Sequence, residues 1–159
     1  MQLVIFDIDG TLTNTNKVDA DCFVRAFEEF GIFNINQNWQ DYTHSTDTGI
    51  TQHVFQKNLG RLPSQEEFFK LKKCFIYLLQ QASTNPNLFS AIPGATSIIN
   101  QLKILNYYVA IATGGWYDSA MFKLQKADID ITNAPIASAD DSFSREEIIK
   151  LVILKSKKI

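Results

Sequence analysis

Apolar runs and helical patterns alternate in the second half of the chain, and one further apolar run opens it. Three runs are short and followed by small or acidic residues, which is typical of buried parallel strands: Leu3–Phe6, Tyr108–Ala112 and residues 135–139. Apolar residues at helical spacing separate the last two runs and follow the third. The alternation predicts βαβ units, and therefore an α/β fold with a doubly wound parallel sheet.

The stretch between the first two predicted strands does not alternate, and its periodicity is that of helices only. Its apolar positions repeat at helical spacing in three segments, residues 19–30, 48–58 and 66–81. We therefore predict a Rossmann-like core formed by residues 1–15 and 88–159, interrupted by an all-helical insertion of residues 16–87.

Two capping-box patterns mark the predicted starts of helices. Ser64 and Glu67 precede the third helical segment of the insertion, and Ser144 and Glu147 precede the last helix of the chain. In a capping box the serine hydroxyl accepts from the backbone N–H of the glutamate, while the glutamate carboxylate accepts from the backbone N–H of the serine. We expect both helices to begin in this way.

Composition narrows the classes of function. The chain has 159 residues, 45% of them hydrophobic, and a net charge of −2, so nothing favours binding to nucleic acid or to a membrane. No apolar run approaches the ~18 residues of a transmembrane helix, and the chain opens on a predicted strand rather than a secretory signal. We expect Cys22 and Cys74 to be free thiols in a reducing cytoplasm, and two histidines are too few for a zinc site.

Two carboxylates follow directly on the first predicted strand. Asp7 and Asp9 flank Ile8 and precede Gly10. Taken alone, Asp-Ile-Asp-Gly fits an ordinary turn equally well, because Asp and Gly are frequent in turns. The carboxyl ends of parallel strands are, however, where open α/β sheets hold their ligands. The pair therefore also fits a magnesium site, or a nucleophile beside a general acid.

Two further patterns fall at the same predicted edge of the sheet. Thr113-Gly114-Gly115 follows the second strand and precedes a predicted helix. A hydroxyl, two small residues and a helix N-terminus together favour binding of an oxyanion, although a plain turn is the alternative. Arg145 begins the last helix, and its guanidinium is suited to neutralise a phosphoryl group, whereas a solvent-facing arginine is commoner there. Together with the acidic pair, these patterns predict a site for phosphoryl chemistry.

With these motifs in this order, the sequence resembles the haloacid dehalogenase-like (HAD) hydrolase superfamily over nearly the whole chain. The run Asp7-Ile8-Asp9-Gly10-Thr11 is the most specific part of the resemblance, and the helical insertion resembles the C1-type cap of that superfamily. The resemblance implies a Mg²⁺-dependent phosphatase that hydrolyses a phosphomonoester, a small phosphorylated metabolite, through an aspartyl-phosphate intermediate.

The resemblance also implies a role for each site residue. Asp7 would be the nucleophile and would contact Mg²⁺. Asp9 would act first as general acid and then as general base, with its backbone carbonyl on the metal. Thr113 and the amide of Gly114 would hold the phosphoryl oxygens, and Arg145 would be the basic residue of the third motif.

The chain departs from the superfamily pattern in three places. The third motif more often carries a lysine than Arg145, and Lys150 is the alternative candidate on the same helix. The fourth motif, an acidic loop after one more strand, has no counterpart after the last helix. Asp140 and Asp141 precede the third motif and so fall outside the fourth by chain order, although either of them as the source of the missing carboxylate stays open. Asn14 stands where relatives often carry another aspartate.

The missing strand has two expected consequences. The Mg²⁺ site lacks one ligand, and the strand that carries Asp7 becomes an open edge of the sheet, which invites self-association. We therefore expect a truncated product, unless a partner chain completes the sheet.

Two alternatives to the phosphatase stay open. A phosphotransferase or phosphomutase would use the same scaffold, and a truncated, catalytically impaired fragment would act at most as a binding module. The insertion would select the substrate. Its candidate contacts are Trp39, Tyr42, His44 and Asp47, although Trp39 and Tyr42 are residue types commoner in cores.

Overall fold

Three parallel strands lie side by side in the order β1-β2-β3 in a computed structural model of the protein, which describes residues 2–158. They are β1 (Leu3–Phe6), β2 (Tyr108–Ala112) and β3 (Ile136–Ala137). The first two have the predicted bounds, and the third is shorter than residues 135–139. Its ladder ends early because the backbone N–H of Ser138 donates to the carboxylate of Asp141, at 2.9 Å.

The strands end together at one edge of the sheet. Phe6 of β1 pairs with Ile111 of β2, and Ala112 of β2 pairs with Ala137 of β3. The residues that follow each strand therefore share this carboxyl edge. Within the described residues β1 pairs with β2 alone, so β1 is an edge strand, as predicted.

Six α-helices and two short 3-10 helices complete the described part of the chain. None of these helices is long and apolar enough to cross a bilayer. The α-helices are α1 (Asn16–Glu28), α2 (Asp47–Leu59), α3 (Gln65–Ala82), α4 (Ala95–Ile104), α5 (Tyr117–Lys126) and α6 (Arg145–Ser156), and the 3-10 helices are Trp39–Asp41 and Pro86–Phe89. We call α1 to α3 with their connecting loops, residues 16–82, the helical insertion.

Helices cover both faces of the sheet because successive strand residues point to opposite faces. Ile111 packs with Ile99 of α4 and Leu124 of α5 on one face. Its neighbour Ala110 packs with Val152 of α6 on the other. The doubly wound α/β fold is therefore confirmed.

The helical insertion packs directly onto the carboxyl edge through Trp116, which follows β2 and is 1% exposed. The Trp116 ring lies 5.7 Å from Phe23 of α1 and 5.9 Å from Phe75 of α3, between ring centroids. Its Nε1 donates to the Thr48 hydroxyl of α2 at 2.9 Å. Burial of aromatic surface on this scale fixes the insertion over the edge where the site residues lie.

One of the two predicted capping boxes is present. The hydroxyl of Ser64 accepts from the backbone N–H of Glu67 at 3.2 Å, and the Glu67 carboxylate accepts from the N–H of Ser64 at 2.8 Å. The prediction for Ser144 is wrong, although α6 starts where expected. The N–H of Ser144 donates to the hydroxyl of Ser142 instead, and its side chain caps nothing.

Both cysteines are free thiols, as predicted. Cys22 is buried among the apolar side chains of the helical insertion, and this burial raises the pKa of its thiol to about 11. Cys74 is half-buried, and burial likewise raises the pKa of its thiol. Neither side chain is activated as a nucleophile, because a reactive cysteine needs a lowered pKa.

Candidate active site

The acidic motif forms a tight turn at the end of β1. The backbone N–H of Gly10 donates to the carbonyl of Thr13 at 2.8 Å, and Gly10 has a φ of 77°, which only glycine adopts without strain. This turn returns Asp9 towards the sheet edge beside Asp7. The Oδ1 atom of Asp7 accepts from the N–H of Ile8 at 2.9 Å, so the carboxylate is held in one orientation.

The five predicted site residues line one cavity of about 360 Å³ at the carboxyl edge. They are Asp7, Asp9, Thr113, Gly114 and Arg145. Side chains of the helical insertion form the opposite wall. That wall consists of Asn16, Asp19, Ala20, Phe23, Trp39, Gln40, Ser45, Asp47 and Ile50.

Arg145 joins the two walls. Its Nη1 lies 3.9 Å from Oδ2 of Asp7, and its Nε donates to the carbonyl of Ser45 in the insertion at 3.1 Å. The guanidinium rests against Gly114, where an added Cβ would come within 2.7 Å of Nη2. A side chain at this position would displace the guanidinium, so Gly114 leaves the space that Arg145 occupies. Lys150, the alternative, lies outside the cavity and pairs with Glu146 at 2.7 Å.

Polar groups at the Thr113-Gly114-Gly115 turn are already hydrogen-bonded to other protein groups, which the sequence does not indicate. The N–H of Gly115 donates to the hydroxyl of Thr113 at 3.0 Å, and the N–H of Trp116 donates to the carboxylate of Asp47 at 2.9 Å. A carboxylate of the insertion thus occupies the N-terminus of α5, where we had expected groups open to an oxyanion. Thr113 and Gly114 still line the cavity beside the Asp7 carboxylate.

A lysine that the sequence analysis did not single out lies beneath the site. Lys123 of α5 is fully buried, and its Nζ donates to Oδ2 of Asp9 and to Oδ1 of Asp19, both at 2.6 Å. The other oxygen of Asp9 accepts from the hydroxyl of Thr15 at 2.5 Å. One ammonium therefore links the predicted general acid of the core to a carboxylate of the helical insertion.

Burial controls the electrostatics of these groups. Burial raises the pKa of Asp7, and it raises the pKa of Asp47 well above its usual range. Burial also raises the pKa of Asp19 to about 6, although the nearby Lys123 ammonium opposes this shift. Burial disfavours the charge of Lys123, but Asp19 and Asp9 outweigh it and raise the pKa of the lysine. The cavity thus concentrates carboxyl groups around few cations, an environment that a divalent cation stabilises.

The Asp7 carboxylate lines the cavity and would hold a Mg²⁺ ion, together with the Asp9 backbone carbonyl that the sequence analysis expects as the second ligand. Mg²⁺ prefers oxygen ligands and is commonly bound by one or two carboxylates, with waters and substrate phosphate completing its coordination. The part of the chain that the structure describes contains no group of three metal-ligating side chains. Mg²⁺ bound here would share its coordination with waters and a substrate phosphate.

Neither of the two acids after β3 is placed to serve the metal. Asp140 forms an ion pair with Lys72 of the insertion, and Asp141 pairs with Lys155 of α6 at 2.8 Å. Both lie outside the cavity. The suggestion that either lends a carboxylate to the site is therefore wrong.

The insertion contributes only two of its four predicted contacts. Trp39 and Asp47 line the cavity, whereas Tyr42 is buried and donates its hydroxyl to the carbonyl of Asn36 at 2.8 Å. The ring of His44 packs against Phe143, with 4.7 Å between centroids, and does not line the cavity.

Comparisons with known proteins identify the family of the chain. The family model described as haloacid dehalogenase-like hydrolase matches residues 4–159. A comparison with curated proteins found no match. Solved structures of similar fold include a hydrolase from Pseudomonas syringae, with 22% identity, a TM-score of 0.66, and coverage of 89% of this chain and 62% of that one.

Two further structures are similar to the chain. A predicted phosphoglycolate phosphatase from Haemophilus somnus 129PT has 17% identity and a TM-score of 0.61, with 89% of this chain and 64% of that chain covered. CbbY from Rhodobacter sphaeroides, in complex with xylulose-(1,5)bisphosphate, has 16% identity and a TM-score of 0.69. The match covers 99% of this chain and 73% of that chain. The chain thus spans less than two thirds of the length of the first two structures. Since the family model matches almost every residue, the chain belongs to the haloacid dehalogenase-like hydrolases.

Proposed function

We propose that the protein is a Mg²⁺-dependent phosphatase that hydrolyses a small phosphomonoester through an aspartyl-phosphate on Asp7. The observation that carries the proposal is the convergence of three groups in one cavity. Asp7 is the nucleophile, Arg145 lies 3.9 Å from it as the phosphoryl-binding cation, and Asp9 is held beside it as general acid. Phosphoryl transfer depends mainly on such positioning and charge stabilisation.

In the first step, Oδ2 of Asp7 attacks phosphorus, and the bond from phosphorus to the leaving oxygen breaks. Oδ1 is held by the N–H of Ile8, which leaves Oδ2 on the side of Arg145. Arg145 and Thr113 stabilise the phosphoryl oxygens, and Asp9 donates its proton to the leaving oxygen. Bound Mg²⁺ supplies the positive charge that lets a carboxylate approach a phosphate.

In the second step, Asp9 accepts a proton from a water molecule as the water oxygen attacks phosphorus. The acyl-phosphate bond breaks, phosphate leaves and the Asp7 carboxylate is restored. Lys123 and Thr15 fix both oxygens of Asp9, which orients the carboxylate for this proton transfer. Splitting hydrolysis in this way replaces one difficult step by two easier ones.

The helical insertion acts as a cap in this proposal, and the cap domain extends over residues 16–87. It begins directly after the acidic turn and forms the wall opposite the nucleophile. Closing such a wall excludes water from the first step and determines which leaving groups fit.

The test is release of phosphate from an aryl phosphate during a Mg²⁺ titration. We expect the rate to rise with Mg²⁺ and to fall at least ~10³-fold in Asp7→Asn, because the nucleophile is lost. Asp21→Asn is the matched control, since Asp21 is an exposed acid paired with Lys17. No release of phosphate even at saturating Mg²⁺ would instead support the binding-module alternative.

A phosphotransferase differs from this phosphatase only in the acceptor of the second step. The polar side chains of Gln40 and Ser45 on the insertion wall favour this alternative, since they are able to hold a hydroxyl compound in place of water. Adding sugars to the aspartyl-phosphate form separates the two. Faster loss of the phosphoryl group, with a phosphorylated sugar as product, identifies the transferase.

A further inference from the structure

The two ends of the cavity differ in charge. Arg145 lies at the core end, against the predicted nucleophile, and is the one cation among the described residues that line the cavity. The helical insertion supplies the other end without any cation in its described lining. Only the core end therefore offers a positive side-chain charge to a dianionic phosphate group.

Lys123 is a further cation beside the cavity, and both of its carboxylate partners already line that cavity. Its ammonium is 0% exposed and lies 2.6 Å from both Asp9 and Asp19. It is absent from the cavity wall. Moving it towards a second anion in the substrate would strip two buried carboxylates of their partner, which is strongly unfavourable.

The insertion wall also carries carboxyl groups. Asp19 and Asp47 both line the cavity, and the Asp47 carboxylate is fixed by the N–H of Trp116. A carboxyl group in either protonation state supplies no positive charge. A second phosphate or a carboxylate on the substrate would therefore lie against oxygen atoms with no counter-charge, and like charges placed together are rejected in recognition sites.

Uncharged polar and aromatic groups make up most of the remaining wall. Asn16, Gln40 and Ser45 offer amides and a hydroxyl, which donate to and accept from substrate hydroxyls. Trp39 and Phe23 offer ring surface for the C–H groups of a carbon chain. A volume of about 360 Å³ lies near the small end of ligand pockets.

We propose that the substrate is a phosphomonoester whose leaving group is a small, uncharged polyol or sugar, and that a second anionic group on it is rejected. This inference rests on the proposed phosphatase function and names its substrate class. Discrimination comes from the insertion wall, which hydrogen-bonds hydroxyls and offers no charge to an anion.

Matched pairs of phosphomonoesters test the inference. Hydroxyethyl phosphate and phosphoglycolate differ only by a hydroxymethyl group in place of a carboxylate, as do glycerol 3-phosphate and 3-phosphoglycerate. We expect kcat/KM to favour the uncharged member of each pair at least ~10-fold. Calorimetric titration of Asp7→Asn with the same compounds gives the ratio of Kd values without turnover.

A charge placed on the insertion wall makes the test specific. Gln40→Lys adds a cation to the cavity lining, and we expect it to shrink the preference for the uncharged member severalfold. Gln37→Lys is the matched control, because Gln37 is an exposed neighbour in the same loop and does not line the cavity. The control is expected to leave the ratio unchanged.

The outcomes separate this inference from the proposed function. The substrate class is overturned if both members of a pair are used equally or if the carboxylated member is preferred. It is also overturned if Gln40→Lys leaves the ratio of kcat/KM values unchanged. In each of these cases the proposed phosphatase function is retained. Failure of every compound both to bind and to react removes the phosphatase proposal, and the inference with it.

Discussion

At the scale of single residues, a buried lysine holds the predicted general acid in place. Lys123 donates to Asp9 and Asp19 at 2.6 Å and is fully buried, so three charged groups depend on one another for compensation. A buried pair of this kind adds little to stability compared with apolar packing, but removing one partner leaves an uncompensated charge. Lys123 is therefore a positioning residue, acting through Asp9 rather than on the substrate.

Replacing Lys123 with methionine tests this arrangement. We expect Lys123→Met to lower the free energy of unfolding by about 3–5 kcal/mol, because two buried carboxylates lose their partner. Urea denaturation measures the loss. Lys17→Met is the matched control, and removing its exposed ion pair with Asp21 should change stability by about 0.5 kcal/mol or less. Equal effects of the two substitutions would contradict the buried linkage.

Asp19 gives the protein a defined pH dependence. Burial raises its pKa from 3.8 to about 6, so between these values the folded state holds a proton that the unfolded state has released. Stability conferred by that proton is present below pH 4 and lost as pH rises to about 6. Relative to Asp19→Asn, which cannot titrate, the natural chain should lose up to ~3 kcal/mol across this window.

Urea denaturation of both chains at a series of pH values measures this difference. A constant difference in unfolding free energy from pH 4 to pH 7 would show that Asp19 does not titrate as the structure implies. Cys22→Ala serves as control, since Cys22 is on the same helix and its thiol titrates only at much higher pH.

The sequence identifies side chains whose spacing has a chemical meaning and misses those defined by packing. Asp7, Asp9 and Thr113 follow strands directly, so the end of each strand predicts where they lie. Lys123 acquires its role from Asp19, a residue more than one hundred positions away. Its only local signal is its place within the apolar stripe of α5, three residues after Ala120. A lysine on a buried helical face indicates a buried carboxylate partner, and that pattern predicts such a site.

At the scale of secondary-structure elements, helix interiors were predictable and helix ends depended on local hydrogen bonds. The prediction for α1 extended to Phe30 because its ring continues the apolar stripe. The helix ends at Glu28 because Gly31, with a φ of 73°, lets the N–H of Ile32 return to the carbonyl of Phe27. Hydrophobic periodicity reports which face is buried and does not report where the backbone turns.

The two serine caps give a matched pair for stability. Ser64→Ala removes the hydroxyl that accepts from the N–H of Glu67 at the start of α3 and should lower the free energy of unfolding by about 1 kcal/mol. Ser144→Ala removes a side chain that caps nothing and should change it by less than about 0.5 kcal/mol. Thermal or urea denaturation distinguishes the two. A larger loss at Ser144 than at Ser64 would show that α6, rather than α3, relies on its capping box.

At the scale of the whole molecule, the helical insertion and the sheet form one site because they share buried surface. Trp116 is surrounded by Phe23, Phe68 and Phe75 of the insertion, and Arg145 reaches across to Ser45. The sequence predicted three parallel strands and the presence of the insertion. It gave no indication of how the insertion closes on the core, because each contact between them, such as Trp116 with Phe23 or Lys123 with Asp19, joins residues distant in sequence.

The most direct test is to locate the phosphoryl group on the protein. In Asp9→Asn the aspartyl-phosphate should accumulate from an aryl phosphate, because an aryloxide leaves without a general acid while no general base remains to activate water. After reaction with a phosphomonoester and Mg²⁺, acid quenching and mass spectrometry with fragmentation should find one phosphoryl group, attached to Asp7 and released by hydroxylamine. Its absence from Asp7, or its presence on another residue while phosphate is still released, would contradict the proposed reaction.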